Sequence, residues 1–311
     1  MLAGISRICG AIALSVLFGV GSAPCAPADV RVSYGPSNDW LGFFVAMDQK
    51  VFEKHNINVT PSLIPSSTAV MGALVSESVE IAGMSSISFL QGHESGIPIV
   101  MIAGAHALPT AMHIGLLARS GSGVKSAKDL VGRKIGLANI GSILNFVSNG
   151  WLMDNGVDVA RVTYVEIPWT QQPDVLKSGK IDAVLTADPF YSRIKVSDTG
   201  YEIGDIYAQA PPGTMLTTYV STRSWAEKNP LVARAFRAAI QEANDYILAN
   251  PGSAKASLIK WAKLPPEIAN DLPIPNFRAE VGADQTRWLI DLGKRQDALK
   301  GGTDVSTMIA K

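Results

Sequence analysis

The chain has 311 residues, of which 47% are hydrophobic and 17% charged, a mixture too apolar for a disordered protein. Its 27 basic residues balance 27 acidic ones, which leaves no basic excess of the kind that marks a nucleic-acid binder. Both cysteines, Cys9 and Cys25, stand before residue 28, which excludes a disulfide framework, a cysteine metal site and cysteine catalysis from everything downstream.

Residues 1–28 read as a secretory signal peptide: Arg7 is the only early charge, 11–20 is apolar, and Gly21, Ser22 and Ala23 are small. Cleavage after Ala23 or Ala26 would leave Pro24 or Pro27 at the following position. Ala26-Pro27-Ala28 ahead of Asp29 is an acceptable cleavage site, so the expected cut follows Ala28. A lipid anchor at Cys25 is the lesser alternative, because Pro24 stands where a small residue belongs. The remaining chain of about 280 residues suffices for one or two packed domains, and no further apolar stretch is long enough to span a bilayer.

A strand over 30–35, with Val30, Val32 and Tyr34 alternating, turns at Pro36-Ser37-Asn38-Asp39 into a helix over 40–55. That helix carries Trp40, Phe43, Phe44, Met47 and Val51 on one stripe and ends at His55. A strand over 57–64 leads through Ser66 and Ser67 into a helix over 69–75; a strand over 80–83 leads through Ser85 and Ser86 into a helix over 87–93; and a strand over 98–103 ends in the loop of His106. Strand and helix alternate again after a Ser/Gly link at 120–123: helix 126–130, strand 134–138, helix 143–154, strand 162–167, helix 173–177 and strand 181–185. A strand over 215–221 follows, Ser224 is expected to cap the next helix, and helices over 231–249, 253–262 and 285–292 complete the chain. The proline-containing stretch 264–277 reads as an uninformative loop. Alternation of this kind predicts an α/β fold with largely parallel sheets, and in such sheets a ligand sits beyond the carboxyl ends of the strands.

The segment 134–149 is the most informative. Ile135 to Ala138 is a short apolar strand, Asn139-Ile140-Gly141-Ser142 is the turn, and Ile143, Phe146 and Val147 recur at helical spacing. Ser142 at the helix start is a capping residue, and the unmet N–H groups behind it can hold a carboxylate, sulfonate or phosphate without Arg or Lys. Capping alone is the commoner role for such a serine.

Four stretches carry a resemblance: 40–59 with Val51-Phe52-Glu53-Lys54-His55; Lys128-Asp129-Leu130-Val131-Gly132-Arg133-Lys134-Ile135-Gly136; Gly141-Ser142 at a helix start; and Leu176-Lys177-Ser178-Gly179-Lys180-Ile181-Asp182-Ala183 leading to Asp188-Pro189. In their order and spacing the chain resembles the nitrate/sulfonate/taurine and thiamine-precursor family of periplasmic solute-binding proteins. The resemblance implies a two-lobed, type II periplasmic-binding fold with the ligand cleft between the lobes. Its two crossovers would fall at 113–119 and 216–222, with lobe one at 29–118 and 217–311 and lobe two at 119–216. It implies a periplasmic, monomeric, non-enzymatic partner of an inner-membrane ATP-driven permease, binding a small organic solute such as a sulfonate, an aromatic carboxylate or a pyrimidine-like ring. No cofactor, metal or nucleic acid is expected. A ligand-sensing ectodomain, or a pyrimidine-synthesising enzyme on the same fold, are the alternatives. The enzyme would need a cysteine cluster that the mature chain lacks.

The expected ligand contacts are Asn38, Asp39, Trp40, Ser66, Ser67, Ser85, Ser86, His106, Asn139, Gly141, Ser142, Trp169, Thr186 and Asp188. Core packing competes with a ligand role for Trp40, and helix capping for Asp39. Asp188 is shorter than the Glu common at that place in the family. Trp169 lies on no apolar stripe and suits a stacking face. Of the other histidines, His55 fits a helix C-terminus, His93 an exposed face and His113 a packed strand. No catalytic motif emerges: the S-x-x-K matches at Ser122 and Ser257 lack their partner elements.

Overall fold

The computed structural model describes residues 26–64, 67–108, 113–282, 284–300 and 304–310. The expected leader through Cys25, and Ser66, lie outside the described residues, and Ser67 is described only in its backbone.

Among the described residues, ten strands form two five-stranded sheets. The first contains β1 (Ala28–Tyr34), β2 (Ile57–Leu63), β3 (Ile81–Ser85) and β4 (Ile99–Gly104). The second contains β5 (Ile114–Arg119), β6 (Lys134–Leu137), β7 (Thr163–Glu166), β8 (Ala183–Ala187) and β9 (Gly200–Gly204), after which β10 (Thr217–Thr222) returns to the first. The orders are β2-β1-β3-β10-β4 and β7-β6-β8-β5-β9. In each sheet the strands that alternate with helices run parallel, β1 with β2 and β3, β6 with β7 and β8. The strand arriving from the other sheet runs antiparallel to both neighbours.

This pairing corrects the expected crossovers. Residues 114–119 and 217–222 are strands, as their sequences suggest, but each lies inside a sheet rather than joining the two. The chain passes between the sheets after β4 and after β9, and the boundary expected at 118 falls ahead of β5. The reason is legible in burial: Gly115 through Ala118 and Thr217 through Ser221 are buried throughout, as a central strand requires.

The helices are α1 (Leu41–Asp48), α2 (Val51–Lys54), α3 (Ser67–Val75), α4 (Ser86–Glu94), α5 (Ile143–Asp154), α6 (Gln172–Lys177), α7 (Phe190–Val196), α8 (Arg223–Lys228), α9 (Pro230–Ala249), α10 (Pro251–Trp261), α11 (Pro266–Asp271) and α12 (Asp284–Arg295). The single helix expected over 40–55 is split, because Lys50 adopts a left-handed conformation at φ 53° and ends α1. Both pieces still bury their aromatics: Phe43, Phe44 and Phe52 join Phe236 of α9 and Tyr219 of β10 in the core of the first sheet. Thr222, not Ser224, caps α8 by accepting from the Trp225 amide at 3.3 Å. α7 and β9 arise in a stretch for which no element is expected.

The segment expected to belong wholly to lobe one includes α12, which packs on α4 of the first lobe and on α5 of the second. Gln296 Nε2 donates to the Phe146 carbonyl at 2.8 Å, Arg295 pairs with Asp154, and the Lys300 amide donates to Glu94 at 2.6 Å. The chain then returns to bridge Ile309 with Met101 of β4. Among the described residues no helix is long and apolar enough to cross a membrane.

Candidate functional site

A cavity of about 380 Å³ lies where the carboxyl ends of the parallel strands of both sheets meet. The turn after β1 contributes Pro36, Ser37, Asn38 and Asp39, the extension of β4 contributes His106, and the turn after β6 contributes Asn139 and Ser142. Trp169 follows β7, and Asp188 and Pro189 follow β8. Between them the walls are apolar: Ile114, Leu137, Leu144, Leu185, Leu216 and Phe190, closed on one side by Leu264, Ile268 and Leu272 in and around α11. A mostly apolar cavity of this size with a few placed polar groups is the usual form of a small-molecule site.

Of the expected contacts, the structure brings together Asn38, Asp39, His106, Asn139, Ser142, Trp169 and Asp188. Of the remaining ones, Ser66 and the Ser67 side chain lie outside the described residues, and the structure places the rest elsewhere. Trp40 is buried in the core, its ring edge-on to Tyr219 with centroids 5.2 Å apart and lying over Gly83. Ser85 caps α4 by accepting from the Ser88 amide at 3.2 Å, and Ser86 is fully buried behind it. Thr186 points away from the cavity because its neighbours Leu185 and Ala187 point in, and successive strand residues face opposite sides. Gly141 stands beside the cavity rather than on its wall. Its φ of +79° makes the turn, and its amide donates to Asn145 Oδ1 at 3.0 Å.

Ser142 caps α5, accepting from the Asn145 amide at 3.3 Å, while the Phe146 amide donates to the Ser142 carbonyl at 2.9 Å. The amides of Ile143 and Leu144 have no acceptor among the described residues, and both residues line the cavity. They open the 12-residue helix α5 toward the cavity from the second lobe. In the first lobe the corresponding place is filled by the protein's own carboxylate. Asp39 Oδ2 accepts from Ser37 Oγ at 2.9 Å, and Oδ1 meets His106 Nδ1 at 2.7 Å. Burial pushes the Asp39 carboxyl up, but the His106 contact and charge together with the Ser37 hydroxyl outweigh it and hold it below its ordinary value.

Asp188 is occupied differently. His113 donates to its Oδ2 through the backbone amide at 3.0 Å and meets it through Nδ1 at 2.7 Å, while Ser192 donates to Oδ1 from its amide at 3.2 Å and its hydroxyl at 2.5 Å. It ties the start of β5 to α7 and is nearly enclosed. His113 is thus an exposed side chain clasped to Asp188, its ring stacked on Tyr191 with centroids 5.5 Å apart, just ahead of β5 rather than within it. His93, expected to be exposed, is half-buried beside Phe89, and burial pulls its pKa down. His55 ends α2 as expected and meets Glu242 at 3.0 Å.

Tyr207 is the residue that the sequence does not single out. It lies between β9 and β10, lines the cavity, and holds a buried hydroxyl without a hydrogen-bond partner among the described residues. Burial pushes its pKa up, and the nearby charges of Asp39 and Asp205 push it further. Trp169 stacks on Phe190, centroids 6.3 Å apart and planes 20° from parallel, so the second lobe offers an aromatic face. Among the described residues no group of three His, Cys, Asp or Glu side chains could hold a metal ion.

Comparison with known proteins follows the same outline. The family model described as NMT1/THI5 like matches residues 37–254, more than half of the chain. The fold is similar to the periplasmic aliphatic sulphonate binding protein SsuA from Escherichia coli, with a TM-score of 0.74 and 18% identity over 92% of this chain and 98% of that one. It is also similar to the alkanesulfonate-binding SsuA from Xanthomonas axonopodis pv. citri bound to MOPS, with a TM-score of 0.72 and 18% identity over 92% and 99%. The periplasmic nitrate-binding protein NrtA from Synechocystis PCC 6803 gives 0.68 at 15% identity over 90% and 84%. At these identities the likeness is one of fold: two α/β lobes around a cleft. No curated protein matches by sequence.

Proposed function

Since the chain belongs to the NMT1/THI5-like family, we propose that it is the exported, periplasmic solute-binding component of an ATP-driven importer. It is a monomer and not an enzyme, takes one small organic molecule between its sheets, and offers the closed form to an inner-membrane permease. The observation that carries this reading is the cavity itself, whose walls come from both sheets and whose polar groups sit on loops at the strand ends. A ligand spanning it touches both lobes and favours their closed arrangement by its differential affinity.

The ligand has an apolar or flat body. Leu, Ile and Phe side chains dominate the wall, and the Trp169–Phe190 pair provides a stacking face, whereas a bare inorganic anion would leave that surface unused. Of the sulfonates, aromatic carboxylates and pyrimidine-like rings that the sequence suggests, any acidic group belongs at the start of α5, where the Ile143 and Leu144 amides point.

The reading is tested by thermal shift and calorimetry with purified protein and a panel of organic solutes. A cognate solute at about 100 times its dissociation constant stabilises the fold by roughly 2.7 kcal/mol, with a stoichiometry of one and no turnover. Turnover without stoichiometric binding would overturn it.

A further inference from the structure

The formally charged side chains on the cavity wall are Asp39 and Asp188; among the described lining residues there is neither Arg nor Lys. The two carboxylates differ in what they have left to offer. Asp188 spends its oxygens on four donors from its own lobe, and its side chain is 4% exposed. Asp39 accepts one contact on each oxygen, keeps 28% of its side chain exposed, and so retains lone pairs directed at whatever fills the cavity.

Among the described residues two further polar atoms beside it are unmet. His106 is 2% exposed, gives Nδ1 to Asp39, and holds Nε2 buried without a partner. The Tyr207 hydroxyl, close enough to Asp39 to feel its charge, is likewise buried and unmet. Buried polar atoms are ordinarily satisfied, so this cluster marks where a polar group of the ligand sits. An oxyanion placed there would face the Asp39 carboxylate.

Resting on the solute-binding reading above, we infer that the ligand carries a protonated nitrogen, an amine or amidine on an apolar body, which donates to Asp39, and that Asp39 selects for it against oxyanions. The proteins of similar fold named for sulfonate or nitrate are therefore guides to this architecture and not to the polar end of this ligand.

The test uses matched sets of probes in which one apolar body, phenethyl, hexyl or picolyl, carries an amine, an alcohol, a carboxylate or a sulfonate. Thermal shift identifies the body that binds, and calorimetry then compares the four ends at neutral pH on the wild-type protein and on Asp39→Asn. The amine is expected to bind the wild type at least about tenfold more tightly than the alcohol, the margin of a charge-assisted contact. Asp39→Asn is expected to erase that margin, and its far-UV circular dichroism reports whether the fold is intact. Stabilisation that follows the sulfonate or carboxylate across the sets overturns this inference and leaves the solute-binding reading standing. An amine margin that survives Asp39→Asn overturns the role of Asp39. Should the variant not fold, the wild-type comparison of amine with sulfonate still decides the matter. No stabilisation by any member of any set counts against both readings.

Discussion

Leu292 of α12 lies over Gly150 of α5, so closely that a Cβ on Gly150 would stand 2.3 Å from Leu292 Cδ1. That contact seats the C-terminal helix on the second lobe, while α12 also packs on α4 of the first. Gly150→Ala is expected to destabilise the protein by about 1–3 kcal/mol, the usual cost of overpacking, which exceeds the roughly 1 kcal/mol that alanine contributes in a helix. Gly72 in α3 is the control: nothing lies within 4 Å of where an alanine Cβ would stand, so Gly72→Ala should stabilise by about 0.5–1 kcal/mol. Urea midpoints read both. Equal stabilisation by the two substitutions would mean that α12 is not seated on α5.

Asp48 joins α1 to α10, accepting from Ser257 Oγ at 2.6 Å and Trp261 Nε1 at 3.0 Å and pairing with Lys260. Burial pushes its carboxyl up, but these donors prevail and hold it below the ordinary value of 3.8. The folded state therefore binds this proton less tightly than the unfolded chain. Its contribution is complete above the ordinary value and is lost as pH falls through the depressed one. Asp48→Asn should cost about 1–3 kcal/mol at neutral pH, a difference that narrows below about pH 4. A gap in urea midpoint that stays constant down to pH 3 would contradict this.

Asp188 is a clasp between His113 and Ser192. Asp188→Ala should lower stability by about 2 kcal/mol, since Ser192 loses its acceptor inside the protein while the exposed His113 regains water. Thermal denaturation of the ligand-free protein measures it. A change within about 0.5 kcal/mol, the range of ordinary surface substitutions, would place Asp188 outside the fold's support.

At Ser142, size separates capping from occupancy. Ser142→Ala should lose about 1 kcal/mol of helix capping and still bind solute, whereas Ser142→Phe loses the same cap and also fills the cavity. Solute titration distinguishes them, and wild-type affinity in the folded Phe variant would remove this cavity from consideration as the site.

Intact mass of the exported protein should correspond to a chain beginning at Asp29. The Ala28 amide donates to the Asn56 carbonyl at 2.9 Å, so that cut removes one contact at the end of the β1–β2 ladder and leaves the rest. A diacylated Cys25 as first residue would reject a free periplasmic form.

The features legible in the chain before folding are local ones. The helix Ile143–Asp154, its Ser142 cap, the strand–helix alternation and the buried stripe of Phe43 and Phe44 follow from spacings of two, three and four residues, which are properties of a strand or helix taken alone. The features settled by packing are non-local. Thr186 faces away while Leu185 and Ala187 face in, because pairing with β5 and β6 sets the strand's register, and a shift of one residue would exchange the faces. Residues 264–272, featureless as sequence, become a wall of the cavity only when α11 comes to rest opposite the second lobe. The cluster of Asp39, His106 and Tyr207 joins a helix start to two passages between sheets, and no periodicity along the chain relates positions so far apart. Only the closing of both sheets around one cleft brings their unmet hydrogen-bonding atoms to the same side of it.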